Sequence, residues 1–160
     1  MNAASMTIIA QGDREIYITR MFDAKSQLVF DAMTKPELMK RWLFGPDGWS
    51  LVVCDVELRP GGTFRYVWKH AARGTDMGMG GVFLEIDAPA KIVHKELFDE
   101  DWTGGETIVT MLLKEDGSRT KMEMTISYGS SEARDGALKS GMAEGMEAGY
   151  SRLDTIFQEA

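Results

Sequence analysis

The sequence predicts an α+β fold: an antiparallel sheet of seven strands covered by one long C-terminal helix, with two short helices after the first strand. Alternating segments joined by hairpin-length turns make the sheet antiparallel. Two short helices ahead of the other six strands give the chain a distinctive order. Glycines at 141, 145 and 149, four residues apart within the closing helix, suggest what that helix covers.

Residues 1–13 read as a loose leader, although Thr7-Ile8-Ile9-Ala10 can begin a strand. Glu15 to Phe22 alternates as a strand does. Asp23 can cap a short helix from Ala24 to Met33, in which Val29 and Met33 form an i, i+4 pair. Thr34-Lys35-Pro36-Glu37 has the form of a capping box with proline in the first turn. The helix it opens carries Leu38 and Trp42 on one face, and Gly45-Pro46-Asp47-Gly48 stops it.

Trp49 to Leu58 is the next strand, turning at Arg59-Pro60-Gly61-Gly62. Thr63 to Lys69 puts Phe64, Tyr66 and Trp68 on one face, and Arg65, Val67 and Lys69 on the other. Ala71 to Gly80 reads as a glycine- and methionine-rich loop holding Met77 and Met79. Gly81 to Ile86 and Lys91 to Phe98 are strands about the turn Asp87-Ala88-Pro89-Ala90, and Asp99 to Glu106 is a loop containing Trp102. Thr107 to Lys114 and Thr120 to Tyr128 pair across Glu115-Asp116-Gly117-Ser118, whose Asp-Gly step signals a hairpin. Met122, Met124, Ile126 and Tyr128 form the buried face of the last strand. Ser130 or Ser131 caps the closing helix, with Glu132 in its first turn.

At about 100° per residue, Leu138, Met142, Met146, Tyr150, Leu153, Ile156 and Phe157 share one apolar arc of that helix. Glu144, Glu147, Ser151, Asp154 and Gln158 take the opposite side. Gly145 and Gly149 fall within the apolar arc, where an interior glycine costs about 1 kcal/mol relative to alanine. Close approach or empty space would justify them. The expectation is a helix laid over a curved sheet with a cavity between the two.

The 160 residues suit one domain, with no linker or repeat, and such a chain buries roughly 70% of its unfolded surface. A net charge of −7 disfavours nucleic acid and anionic membranes as partners, since both need concentrated Lys and Arg. No apolar run nears the roughly 18 residues of a membrane span, and Met1 to Thr7 lacks the segments of a secretory signal. Cys54 is the single cysteine, which excludes an internal disulfide and cysteine-paired zinc and fits a reducing cytoplasm. No metal or cofactor is expected.

Several local words point to a family. They are Ile18-Thr19-Arg20-Met21-Phe22-Asp23-Ala24, Val29-Phe30-Asp31-Ala32-Met33-Thr34, and Pro36-Glu37 leading to Arg41-Trp42. Asp55-Val56-Glu57-Leu58-Arg59-Pro60-Gly61-Gly62, Ile92-Val93-His94-Lys95-Glu96, and Gly145-Met146-Glu147 before Arg152-Leu153-Asp154 continue them. With the element order, they resemble the helix-grip fold of the START-like (SRPBCC) superfamily, in the branch named after the activator of the heat-shock protein 90 ATPase. The resemblance runs from about Glu15 to Phe157. It implies a seven-stranded antiparallel sheet wrapped around the C-terminal helix, with the short helices closing one end. Relatives often hold an apolar ligand in that cleft, and some act as polyketide cyclases. The co-chaperone that names the branch uses a further N-terminal domain absent from these residues. Tyr150 stands where relatives often carry Trp.

His94 and Glu96 share a strand face with Ile92 and Phe98, and the resemblance turns that face into the cleft. A histidine beside a carboxylate can move a proton or recognise a polar ligand group; it can also be a structural pair. Trp42, Phe64, Tyr66, Trp68 and Trp102 suit an aromatic pocket wall as well as they suit packed core. Met111, Met122, Met124, Met142 and Met146 are adaptable filler for either. Gly145 and Gly149 complete the expected ligand-contacting set. Asp76 through Gly81 has glycines but no lysine-bearing phosphate loop; Asp99, Glu100 and Asp101 read as solvated surface, and His70 as an exposed strand end. The expected function is binding of a small hydrophobic or aromatic ligand. A cyclase-like enzyme using His94 and Glu96 is the first alternative, and a co-chaperone or stress-response partner protein the second. Size and superfamily also allow a homodimer.

Overall fold

Period-two alternation carries eight segments of the chain into a single sheet. The computed structural model describes residues 6–101 and 104–159. Its strands are β1 (Met6–Gln11), β2 (Glu15–Phe22), β3 (Trp49–Val56), β4 (Thr63–His70), β5 (Asp76–Asp87), β6 (Lys91–Phe98), β7 (Thr107–Asp116) and β8 (Arg119–Ser127). They pair antiparallel in the order β1-β2-β8-β7-β6-β5-β4-β3. The sheet thus has eight strands rather than seven, because residues 6–11 are not a loose leader. Ile8 pairs with Ile18 and Ala10 with Ile16, and the Thr7 and Thr19 hydroxyls hydrogen-bond across the strands. Met6 and Ile8 turn toward the core while Ile9 stays exposed.

β5 also begins earlier than the glycines at 78, 80 and 81 suggest. Met77 and Met79 belong to the strand, pairing with Trp68 and Tyr66. Gly81 has a packing reason: a Cβ there would collide with the Phe64 ring and the Lys95 carbonyl. Its absence lets Phe64 lie across β5.

The two short helices are α1 (Ser26–Thr34) and α2 (Pro36–Met39). Neither expected side-chain cap forms. Lys25 occupies the first cap position, and Glu115 of β7 accepts from Ser26 N at 2.9 Å and Ser26 Oγ at 3.0 Å instead. Thr34 ends α1, and its hydroxyl donates to the Phe30 carbonyl at 2.8 Å rather than opening a capping box. Ser130 does cap its helix, accepting from Ala133 N at 3.1 Å.

The closing helix is two helices, α3 (Ser131–Leu138) and α4 (Met142–Glu159). Gly141 lies in the break, not inside a continuous helix. Its φ of +83° is left-handed backbone that residues with a Cβ adopt at a cost. α4 spans 18 residues, or about 27 Å. Its backbone packs more closely against α3 than against any strand.

Arg20 bridges that gap. Its side chain is 0% exposed. Nε and Nη2 donate to the Glu147 carboxylate, both at 3.0 Å, and Nη1 and Nη2 donate to Asp154 at 2.8 and 2.9 Å. The guanidinium also lies 5.0 Å from the Phe22 ring centre and 5.9 Å from that of Tyr150. Burial opposes its charge, but Asp154 and Glu147 outweigh burial and hold its pKa above the ordinary arginine value. The Arg20 hydrogen bond, chiefly, holds the Glu147 carboxyl below its usual range.

Arg20→Ala should therefore cost about 3–5 kcal/mol, as expected for removing one partner of a buried ion pair. Urea unfolding checks this, and a loss under about 1 kcal/mol would show that α4 is held by packing alone. Acid should weaken the same link. A depressed folded-state pKa means that Glu147 adds stability above the unfolded carboxylate value of about 4.3 and loses it as pH falls through the folded value. Glu147→Gln should flatten the acid limb of a stability-against-pH curve.

Candidate functional site

Alternation fills the concave face of the sheet. β4 turns Phe64, Tyr66 and Trp68 inward, and β6 turns Ile92, His94, Glu96 and Phe98 the same way. α4 stands over them and encloses a cavity of about 620 Å³. That lies within the roughly 300–1,000 Å³ in which proteins hold drug-sized molecules. Pro46, Met77 and Gly145 line it and are exposed, so they mark its mouth.

The walls are aromatic. Phe64 lies 5.2 Å from Tyr66 and 5.2 Å from Phe83, centre to centre, and Tyr66 lies 6.0 Å from Trp68. Such edge and tilted contacts are the favourable arrangements of ring quadrupoles. Trp42 closes the helical side, 5.9 Å from Tyr150. Three donors fix the segment 42–45 at the mouth. Arg152 gives Nη1 to the Trp42 carbonyl at 3.0 Å and Nη2 to Gly45 at 2.8 Å, and lies 3.9 Å over Phe44. The Trp68 indole donates to Leu43 at 2.8 Å, and the Trp42 indole donates to Ala32 at 2.8 Å.

Polar groups are few. His94 Nε2 and Glu96 Oε1 are 2.8 Å apart, with side chains 21% and 18% exposed. Both face the cavity, and His94 meets Phe64 edge-on at 5.0 Å. The hydroxyls of Tyr66, Tyr128 and Tyr150 have no hydrogen-bond partner among the described residues, although all three residues are buried. Burial, then the nearby Cys54 and Glu96, holds the Tyr66 phenol above its usual range. Burial and then Glu96 push Tyr128 up to about 12, and burial raises Tyr150. All three remain protonated donors at neutral pH.

Trp42, Phe64, Tyr66 and Trp68 line the cavity, as do His94 and Glu96. Met111 and Met124 reach it from β7 and β8; Met142, Gly145, Met146 and Gly149 reach it from α4. Met122 does not. It is fully buried beyond the cavity, paired with Arg20 and Leu113, near where β8 runs under α1 and Thr120 Oγ1 donates to Ala24 at 2.7 Å. Trp102 lies outside the described residues. His70 is half-buried, not an exposed end: it packs edge-on against Trp49 at 5.3 Å. Sequence reasoning passed over Tyr128, Tyr150, Arg152 and Phe83 as site residues. The run Met77, Met79, Gly81, Phe83 is itself an alternation that could have found Phe83.

The two helical glycines differ. A Cβ at Gly145 would meet nothing within 4 Å, whereas one at Gly149 would touch Trp42 at 3.4 Å.

An antiparallel sheet curved about a C-terminal helix, with a cavity held between them, is a helix-grip fold. The chain belongs to the family described as Activator of Hsp90 ATPase homolog 1-like protein, whose sequence model matches residues 23–158. A crystal structure of a Rhodobacter sphaeroides protein is 32% identical and aligns over 98% of this chain and 100% of that one, with a TM-score of 0.91. Solution structures of proteins from Staphylococcus epidermidis (26% identical, TM-score 0.80, covering 94% and 93%) and Arthrobacter aurescens (25%, 0.82, 96% and 92%) share the fold. No curated protein matches the chain.

Gly145→Ala should raise stability by about 1 kcal/mol, since the helix gains propensity and the methyl meets no atom. Gly149→Ala should gain less, because its methyl presses on Trp42. Thermal and urea unfolding of the two variants check the order, and a destabilised Gly145→Ala would refute it.

Proposed function

We propose that the protein binds a small hydrophobic or aromatic molecule in the cavity between the sheet and α4. The observation that carries this reading is a cavity of about 620 Å³ with largely apolar walls, lined by three tyrosines whose hydroxyls have no hydrogen-bond partner among the described residues. A hydroxyl that lines a cavity without a protein partner is open to water or to a polar group of a ligand. No helix among the described residues is long and apolar enough to cross a membrane. The proposal places the protein in the cytoplasm, alone or as a homodimer, with neither nucleic acid nor membrane as partner.

A second reading is cyclase-like catalysis on a bound carbonyl compound, with His94 and Glu96 moving the proton. It is favoured by their 2.8 Å contact within the cavity. A co-chaperone role draws on the other side of the sheet, where Val82, Leu84, Leu97 and Ile108 are exposed. Lys95, lying between Val82 and Ile108 in the register, interrupts that patch.

Native mass spectrometry of freshly purified protein should detect a co-purifying apolar compound. Added N-phenyl-1-naphthylamine, an uncharged dye that brightens in apolar cavities, should bind one-to-one. Neither event occurring would refute the binding reading. Once a ligand is known, unchanged turnover in His94→Ala and Glu96→Ala would remove the catalytic one.

A further inference from the structure

The polar groups of the cavity lie together rather than scattered. Phe64, Gly81, Glu96 and Thr107 are successive partners across β4, β5, β6 and β7. The pairing of Ile108 with Ser127 brings Tyr128 alongside Thr107 at the far end of this row. Tyr66 is two residues along β4 from Phe64, and both tyrosines lie close enough to Glu96 to feel its charge. A belt of oxygen and nitrogen atoms therefore crosses the sheet floor, and methionine, glycine and indole carbon line the cavity from Met39, Trp42 and α4.

The belt has a definite hydrogen-bonding character. The Tyr66 and Tyr128 residues are 9% and 6% exposed, and each hydroxyl has a proton to donate and no protein acceptor among the described residues. Glu96 gives Oε1 to His94, which leaves Oε2 as an acceptor. A ligand hydroxyl would match both needs: its oxygen accepts from a tyrosine while its proton goes to Glu96. A ligand carbonyl would match the tyrosines alone.

The charge is equally definite. His94, Glu96 and Arg152 are the charged or chargeable side chains, tyrosines aside, among the described residues lining the cavity. The Arg152 guanidinium is taken up by the Trp42 and Gly45 carbonyls and the Phe44 ring, and Arg20 does not reach the cavity. An anionic head group seated on the belt would thus meet the Glu96 carboxylate, while the arginine that lines the cavity is held at the mouth by the Trp42 and Gly45 carbonyls. Like charges in a partly desolvated site repel strongly.

We infer that the cavity selects an uncharged ring-bearing ligand whose hydroxyl or carbonyl sits on the Tyr66–Glu96–Tyr128 belt, and that it rejects the same skeleton carrying a carboxylate. This rests on the cavity being a binding site and specifies the chemistry of what it takes.

The test is displacement of N-phenyl-1-naphthylamine at pH 7.5 by naphthalene, 2-naphthol and 2-naphthoate, three probes sharing one ring body. 2-Naphthol should displace the dye at roughly one-tenth the concentration naphthalene needs, the gain expected from one or two hydrogen bonds in a shielded site, and 2-naphthoate should need more than either. In the Tyr66→Phe, Tyr128→Phe double variant, which keeps ring volume, the naphthol advantage should shrink to what the Glu96 acceptor alone supplies, while naphthalene is unchanged. In Glu96→Gln, naphthoate should approach naphthalene. Naphthoate displacing the dye as well as naphthol does, or a naphthol advantage undiminished in the double variant, overturns the inference and leaves the binding reading standing. A dye that never binds, with no compound co-purifying either, removes the binding reading itself. Unfolding midpoints of the variants show that each is folded when measured.

Discussion

A buried guanidinium decides where the C-terminal helix lies. Arg20 follows Ile16 and Ile18 on the inward face of β2 and precedes Phe22, a position where alternation asks for an apolar side chain. Left alone there, its charge would cost several kcal/mol. Glu147 and Asp154, seven residues apart and so on one face of α4, meet it with four hydrogen bonds. A network of this geometry fixes the height and register of a helix over a sheet without requiring the rest of that helix to touch down. The cavity follows from that freedom. With one flank of α4 tied to β2, the other can stand clear of the strands, where Gly145 and Gly149 replace side chains that would otherwise fill the space.

The mouth is held by the same device. Arg152, two residues before Asp154, crosses to the carbonyls of Trp42 and Gly45, and the Trp68 indole takes the carbonyl of Leu43 between them. A loop that would expose its backbone acceptors is thereby bound to both the helix and the sheet. Trp42 joins the two systems, since its ring lies against Tyr150 and Gly149 while its carbonyl is held by Arg152. The mouth and the α4 seat are linked through these shared side chains.

What the sequence revealed was periodic. Two-residue alternation located the aromatic wall of β4 and the His94–Glu96 pair, and helical spacing located the glycines and methionines of α4. What it hid was either non-local or contrary to pattern. The capping of α1 by Glu115 joins residues 89 apart, which no local signal carries. Glu147 and Asp154 read as a solvated helix face because their partner lies more than 120 residues away. Arg20 did carry a cue, a charge in an apolar phase of a strand, but that cue gains meaning only beside two acids in phase on a helix. Glycine misled in both directions. Residues 78–81 look like a loop but pair as a strand in which Gly81 makes room for Phe64, and Gly141 looks helical but breaks the helix.

Electrostatics also separate holding from turnover. Proton transfer at neutral pH favours groups whose pKa lies near 7. Burial and Glu96 move the Tyr66 and Tyr128 phenols away from that range, so they persist as neutral donors of fixed direction. Fixed neutral donors suit recognition: they reward an oxygen placed opposite them and disfavour a ligand that leaves them unmet. His94 and Glu96 are the other polar couple facing the cavity, and their nearest atoms already face each other. A substrate would have to enter or break that contact to react, whereas a bound ligand needs only the free oxygen of Glu96 and the two hydroxyls beside it. The arrangement asks less of a carrier than of a catalyst.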